Sequence, residues 1–261
     1  MTGQRYMKFL TAAHTDVGLK KKTNQDSVLI MQAQTDAGPV LMAAICDGMG
    51  GLAKGEVASA AMVRSLEKWF RNEFPALLGA GFEAEKLCTE WSQLVQTTAR
   101  RISEYGARIH VDMGTTAAVF LVVGDGYYIM NVGDSRVYEV TNQLYQLTKD
   151  QTYVQREIDL GHLTPEQAAV NPQRSVLLQC IGASDVITPD FFSGKLAPDQ
   201  AYLLCCDGFR HVVQPQEIYR AVNPKTVTTE TAMKRALVSL TELNKNRREE
   251  DNISAILIRI C

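Results

Sequence analysis

The chain has no apolar run approaching the length of a membrane span, no CxxC or paired-histidine motif, no low-complexity tract and no excess of charge of one sign. Each absence removes a class of function. Without roughly 18 consecutive apolar residues no segment is expected to cross a bilayer, and the start, MTGQRYMKFL, lacks the apolar core of a secretory signal. A soluble, cytoplasmic protein is expected. The formal net charge of −2, with both signs mixed along the chain, leaves no footprint for nucleic acid or an anionic membrane. Cys46, Cys88, Cys180, Cys205, Cys206 and Cys261 follow neither metal nor disulfide spacing and are expected to be reduced, mostly as core residues. His14, His110, His162 and His211 are scattered, so any metal would have to be held by oxygen.

What is present is a regular succession of apolar runs. Strands are expected in MKFLTAAHTDVG, DSVLIMQAQ and PVLMAAIC, the last nearly continuous and so buried on both faces. Two amphipathic helices follow, one from about Leu52 to Phe74 with Val57, Ala61, Val63, Leu66 and Phe70 on one face. The other spans 83–109, with Leu87, Trp91, Leu94, Val95 and Ile102. Strands return in TTAAVFLVVG, GYYIMNVG and RVYEVTN, joined by Gly-Asp turn signals. A polar, less regular segment over 150–174 precedes the expected strands SVLLQCIG and QAYLLCCDG, helices over 215–221 and 226–244, and a last strand, NISAILIRI. This order fits α+β layers better than alternating βαβ units. No linker, charge block or repeat divides the 261 residues, so a single domain over 1–261 is expected.

Asp26, Asp47, Asp134, Asp207 and Asp251 share one kind of setting, and the last four sit at the edges of apolar runs. Singly, an Asp-Gly or Asp-Ser after a strand is a turn signal. Together, clustered carboxylates repel and stay ionised only with cations among them. Hard divalent ions, Mg²⁺ or Mn²⁺, suit such oxygen donors, and the glycine after Asp47 would let a backbone carbonyl approach an ion closely.

The ordered blocks TDVGLKKKTNQDS, CDGMGGLAKGE, MGTTAAVF, NVGDSRVY, LTKDQTYVQREIDLGHLTPEQAAVNPQRS, LLCCDGF and DNISAILI resemble the metal-dependent Ser/Thr protein phosphatases (PPM, or type 2C), most of all the bacterial branch. The resemblance covers nearly the whole chain. It implies a four-layer α-β-β-α sandwich of two antiparallel sheets flanked by helix pairs, with the metal centre at one end. By position, Asp47 would bridge two Mn²⁺ or Mg²⁺ ions, the Gly48 carbonyl would ligate one, and Asp207 and Asp251 the other. Asp134 would share a third, weaker ion with Asp207. Asp26 would accept a hydrogen bond from water at the centre, and Asn252 would stand beside it. The implied reaction is hydrolysis of phosphoserine and phosphothreonine on proteins by a metal-activated water, with no phosphoenzyme. No Cys-x5-Arg loop is present, in agreement.

The chain departs from the family at several positions. Lys21 stands where an arginine usually binds the substrate phosphate, and lysine lacks the planar fork. Leu52 replaces a histidine that is a candidate general acid, which predicts slower turnover of poor leaving groups. Gln151 and Asn171 also replace histidines, in a flap segment over about 150–180. These changes keep a second reading in view, a phosphoprotein-binding pseudophosphatase of low activity. A two-metal phosphodiesterase is disfavoured because no basic groove for a polyanion is evident. Phosphorylated Ser/Thr proteins, an opposing Ser/Thr kinase and a monomeric state complete the expectations.

Overall fold

The computed structural model describes residues 7–49, 54–197 and 199–261. Among the described residues ten strands form two antiparallel sheets. One sheet holds β1 (Phe9–Asp16), β10 (Ile253–Ile260), β9 (Ala201–Cys205), β6 (Arg136–Val140) and β7 (Leu144–Gln146), in that order. The other holds β2 (Asp26–Thr35), β3 (Gly38–Asp47), β4 (Ala117–Val123), β5 (Gly126–Val132) and β8 (Asp190–Lys195). Helices α1 (Gly55–Asn72), α2 (Phe74–Gly79) and α3 (Ala84–Ile109) pack on the β2–β8 sheet, and α6 (Pro215–Val222) and α7 (Glu230–Asn246) on the β1–β7 sheet. The result is the expected α-β-β-α sandwich.

The period-2 geometry of a strand explains why the PVLMAAIC run is apolar throughout. In β3, Leu41, Ala43 and Ile45 face the core between the sheets, while Val40, Met42, Ala44 and Cys46 face the helices. β4 repeats this, with Ala118, Phe120 and Val122 on one side and Ala117, Val119 and Leu121 on the other. On α1 the buried stripe is Ala58, Met62, Leu66 and Trp69. Of the expected face, Leu66 and Phe70 are buried while Val57, Ala61 and Val63 are only partly covered, and Trp69 packs edge-on against Trp91 of α3, ring centroids 5.7 Å apart. Burying each such large side chain contributes about 1.5–3 kcal/mol.

Several expectations are corrected. SVLLQCIG is not a strand; only single bridges tie Leu177 to Thr152 and Ile181 to Thr115. The strand filling the sheet edge is β8, whose half-exposed residues carry a weaker pattern. The 150–174 segment contains two short helices, α4 (Tyr153–Asp159) and α5 (Pro165–Ala169), capped by Thr152 and Thr164. α7 begins at Glu230, after Thr229 caps it through the Ala232 amide at 3.1 Å, so 226–229 precedes the helix. Cys46, Cys180, Cys205 and Cys206 are buried free thiols, whereas Cys88 is half-buried and Cys261 exposed. Among the described residues no helix is long and apolar enough to cross a membrane.

Candidate metal centre

Strand ends from both sheets deliver the carboxylates to one end of the sandwich. Asp26 opens β2, Asp47 closes β3, and the register sets them directly opposite one another. From the second sheet, Asp207 follows β9 and Asp251 precedes β10. Asp134 lies in the turn from β5 to β6. A cavity of about 210 Å³ is lined by Lys21, Asp47, Thr116, Asp134, Asp207 and Asp251. Asp26 stands behind Asp47, and Gly48 and Asn252 adjoin the cluster. A Cβ on Gly48 would collide with the carbonyl oxygens of Gly55 and Gln25, so only glycine allows the chain through. Leu52 lies outside the described residues.

Like charges opposed across an antiparallel pair destabilise it, and the Asp26 side of this pair is turned away from water while Asp47 lines the cavity. Both oxygens of Asp26, and Oδ1 of Asp207, are buried without a hydrogen-bond partner among the described residues. Orphaned carboxylate oxygens are rare and demand an explanation. Burial, reinforced by Asp207 and Asp251, pushes the Asp26 carboxyl up to about 7. Burial also drives Asp47 well above the usual carboxylate range, with Asp26 and Asp207 adding to it. Burial and Asp207 bring Asp134 to about 7, with Arg210 pulling the other way.

Cys206 Sγ lies within 4.8 Å of one oxygen each of Asp26 and Asp47. It is no partner for a hard ion. Burial, then the three neighbouring aspartates, hold its thiol well above the ordinary value, and it donates to the Asn252 carbonyl at 3.4 Å while accepting from the Ser254 amide at 3.2 Å. The donor set left is carboxylate and carbonyl oxygen, which fits Mn²⁺ or Mg²⁺.

The surrounding contacts hold these groups in place. Lys21 Nζ pairs with Asp251 Oδ1 at 2.8 Å. Burial opposes the lysine charge, but the Asp251 contact and the fields of Asp47 and Asp207 outweigh it and raise its pKa. Asn252 pins the Lys21 loop, accepting from the Gln25 amide at 2.9 Å and donating to the Val17 and Thr23 carbonyls at 2.9 and 3.3 Å. Thr116 accepts from the Asp47 amide at 3.0 Å and meets Ser135 Oγ at 2.9 Å, linking the Asp47 and Asp134 turns. His211 Nε2 lies 3.3 Å from Asp207 Oδ2, leaving Oδ1 unengaged, and Glu249 accepts from the Asp251 amide at 3.0 Å. Gln151 is a staple: its side chain accepts from the Gly133 amide at 2.8 Å and donates to Asp190 at 2.9 Å. Asn171 shapes a local turn through the Gln173 amide.

Sequence reading missed Thr116, Ser135, Arg210, His211 and Glu249. The Asp207 to His211 spacing of four was a usable signal, since the turn after Asp207 brings the ring back onto its carboxylate. Thr116 gave none, because a threonine before an apolar run reads simply as a strand start.

Oxygen donors suited to divalent ions thus converge where two antiparallel sheets end. The protein phosphatase 2C family model matches residues 14–256, and the chain belongs to that family. It is similar to the serine/threonine protein phosphatase PstP of Mycobacterium tuberculosis, 34% identical over 212 residues, 81% of this chain and 38% of that protein. The chain therefore spans well under half of that relative. It spans 93% of the serine/threonine phosphatase stp of Listeria monocytogenes, at 32% identity over 94% of its own length. Among solved structures, the PstP catalytic domain in complex with two manganese ions superposes with a TM-score of 0.78, at 28% identity, over 97% of this chain and 99% of that one.

Proposed function

We propose that this chain hydrolyses phosphoserine and phosphothreonine monoesters on proteins with Mn²⁺ or Mg²⁺ as cofactor. The observation that carries the reading is the mutually opposed Asp26–Asp47 pair beside the unpartnered Asp207 oxygen, an arrangement that bound cations would relieve while leaving the carboxylates ionised. Bound divalent ions supply a water that is nucleophilic near neutral pH and neutralise charge on the phosphoryl oxygens. Asp47 and the Gly48 carbonyl, with Asp207 and Asp251, would hold two ions, and Asp134 with Asp207 would hold a third, more weakly. Asp26 would orient water at the centre by accepting a hydrogen bond from it. Lys21 meets the substrate phosphate as a point charge, and Asn252 fixes the loop that carries it.

One domain accounts for the whole chain, with the 150–180 segment as its flap. Ser175 and Leu177 of that segment line the small cavity. The phosphoprotein docks in the adjoining cleft of about 870 Å³ that runs between Val170, Arg174 and Ser175 on one side and Arg248, Glu249 and Asp251 on the other. The buried free thiols suit a reducing cytoplasm, where a Ser/Thr kinase would generate the substrates of a monomeric enzyme.

The test is Mn²⁺-dependent phosphate release from a phosphothreonine peptide, with an aryl phosphate in parallel and Asp207→Ala as control. Metal-dependent turnover that disappears in the control is expected, with the aryl ester favoured because Leu52 donates no proton to a poor leaving group. A folded chain that binds Mn²⁺ but releases no phosphate from either ester would refute the reading in favour of a phosphoprotein-binding pseudophosphatase.

A further inference from the structure

Arg210 lies three residues beyond Asp207, on the turn that leaves β9, and its guanidinium reaches across the end of the sandwich into the Asp134 turn. Its Nη2 donates to the Asp134 carbonyl at 2.9 Å and stands 3.5 Å from Asp134 Oδ2 and 3.4 Å from Asp150 Oδ2. The side chain is only 13% exposed. It is also locked, because Asp150 is itself gripped at both oxygens by Arg136 at 2.8 and 2.7 Å. Two carboxylates and two guanidinium groups are thus linked in one chain of contacts from Arg136 through Asp150 and Arg210 to Asp134. Of the five clustered aspartates, Asp134 alone has an arginine within ion-pair distance among the described residues.

Resting on the two-ion reading above, we propose that Arg210 is a positioning residue that acts as the resident counter-charge of the Asp134 corner, weakening the third ion shared by Asp134 and Asp207. A guanidinium fixed this close repels a divalent cation and occupies one face of the carboxylate. It also holds the Asp134 turn in place when no ion is there. The effect on the weakest metal site is tenfold or more, roughly what one charge a few ångström away exerts in a partly screened cavity. Sequence alone hides this, since an arginine after Asp-Gly-Phe reads as an ordinary surface turn.

The experiment counts ions rather than turnover. Mn²⁺ is titrated into the purified chain, with bound metal followed by calorimetry and by loss of the free-ion paramagnetic resonance signal. The unaltered chain is expected to bind two ions tightly and a third weakly. Arg210→Met is expected to tighten the weakest site about tenfold or more, Arg210→Lys to stay within about threefold of the parent, and Asp134→Asn to cancel the gain in the Arg210→Met background. An Arg210→Met chain whose weakest site moves less than about twofold would overturn the proposal. If Arg210→Met does not fold, Asp134→Asn in the otherwise unaltered chain decides. It should keep both tight ions, and loss of one would show that Asp134 holds an ion Arg210 does not discourage. A chain that binds no ion would overturn the two-ion reading, and this inference with it.

Discussion

Two corners of the same sandwich end hold carboxylates in opposite states. Around Asp26 and Asp47 the negative charges of four aspartates converge, and the lysine in reach, Lys21, pairs with Asp251 at the rim. Around Asp134 and Asp150 two arginines supply positive charge from within the chain. The first corner folds with unmet charge that protons or cations from solution must relieve; in the second, Asp150 is held as a carboxylate by the chain's own arginines. Stability and metal demand are therefore separable in this protein, and substitutions can pull them apart.

The largest effect is expected at Asp47. Asp47→Asn removes the carboxylate shared by the proposed ions, and metal-dependent phosphate release should fall roughly a thousandfold or more. The same change relieves the opposed pair with Asp26, so the chelated chain should melt at a higher temperature than its parent. Lower activity with a lower melting temperature would place Asp47 in a structural role and erase the contrast between the corners.

Arg136 tests the other corner. Arg136→Met strips Asp150 of its two-pronged partner and leaves a carboxylate, 9% exposed, with Arg210 as its one charged neighbour and Gln146 donating to it at 3.1 Å. The cost is about 2–3 kcal/mol, which lowers the melting temperature by about 5–8 °C in a chain of this size. Added Mn²⁺ should not restore the loss. Recovery with Mn²⁺ would mean that the second corner also depends on solution cations.

Much of this architecture was legible in sequence and some of it could not be. β3 and β4 are buried on both faces, so their unbroken apolar runs announced them, and Asp47, Asp207 and Asp251 stood out because each interrupts such a run at its edge. β8 was missed because an edge strand with half-exposed residues carries little pattern, and SVLLQCIG misled because its Val176 and Leu178 are exposed rather than paired. The cross-strand opposition of Asp26 and Asp47 is a matter of register, which no local pattern states. The Arg136–Asp150–Arg210 cluster joins residues 14 and 60 positions apart, and single arginines carry no sign of which carboxylate they will meet.

A pH series on the chelated chain offers a smaller effect of definite sign. Asp26 and Asp134 have folded values of about 7 against an ordinary 3.8, so the folded state takes up protons between those values and loses stability as pH rises through 7. His211, whose burial is outweighed by Glu249 and Asp207, is raised and acts in the same direction. Asp150 and Glu217 are lowered, Glu217 to about 2, and weaken the fold only at more acidic pH. Between pH 5.5 and 8 the melting temperature with EDTA should therefore drop by a few degrees, roughly what one or two such carboxyls supply. With saturating Mn²⁺ the drop should vanish or reverse. An EDTA curve that rises towards pH 8 would mean the Asp26 and Asp47 charges are already met within the chain.

The smallest effect is expected at Lys21, where the needy corner meets the substrate. Its ammonium, 29% exposed and 2.8 Å from Asp251, can neutralise one phosphate oxygen at a time. A guanidinium at the same place would engage two oxygens in parallel, so Lys21→Arg should lower KM for a phosphothreonine peptide by roughly two- to fivefold with kcat little changed. The fork is also wider than the ammonium, and the Asp251 carboxylate beside it competes for its donors. Carrying the comparison across both corners sharpens the test: an added charge-assisted contact should strengthen phosphate binding at Lys21, while Arg136→Lys, which weakens an already satisfied pair, should lower stability and leave KM alone. A KM for Lys21→Arg equal to or above that of the parent would show that residue 21 serves Asp251 rather than the phosphate.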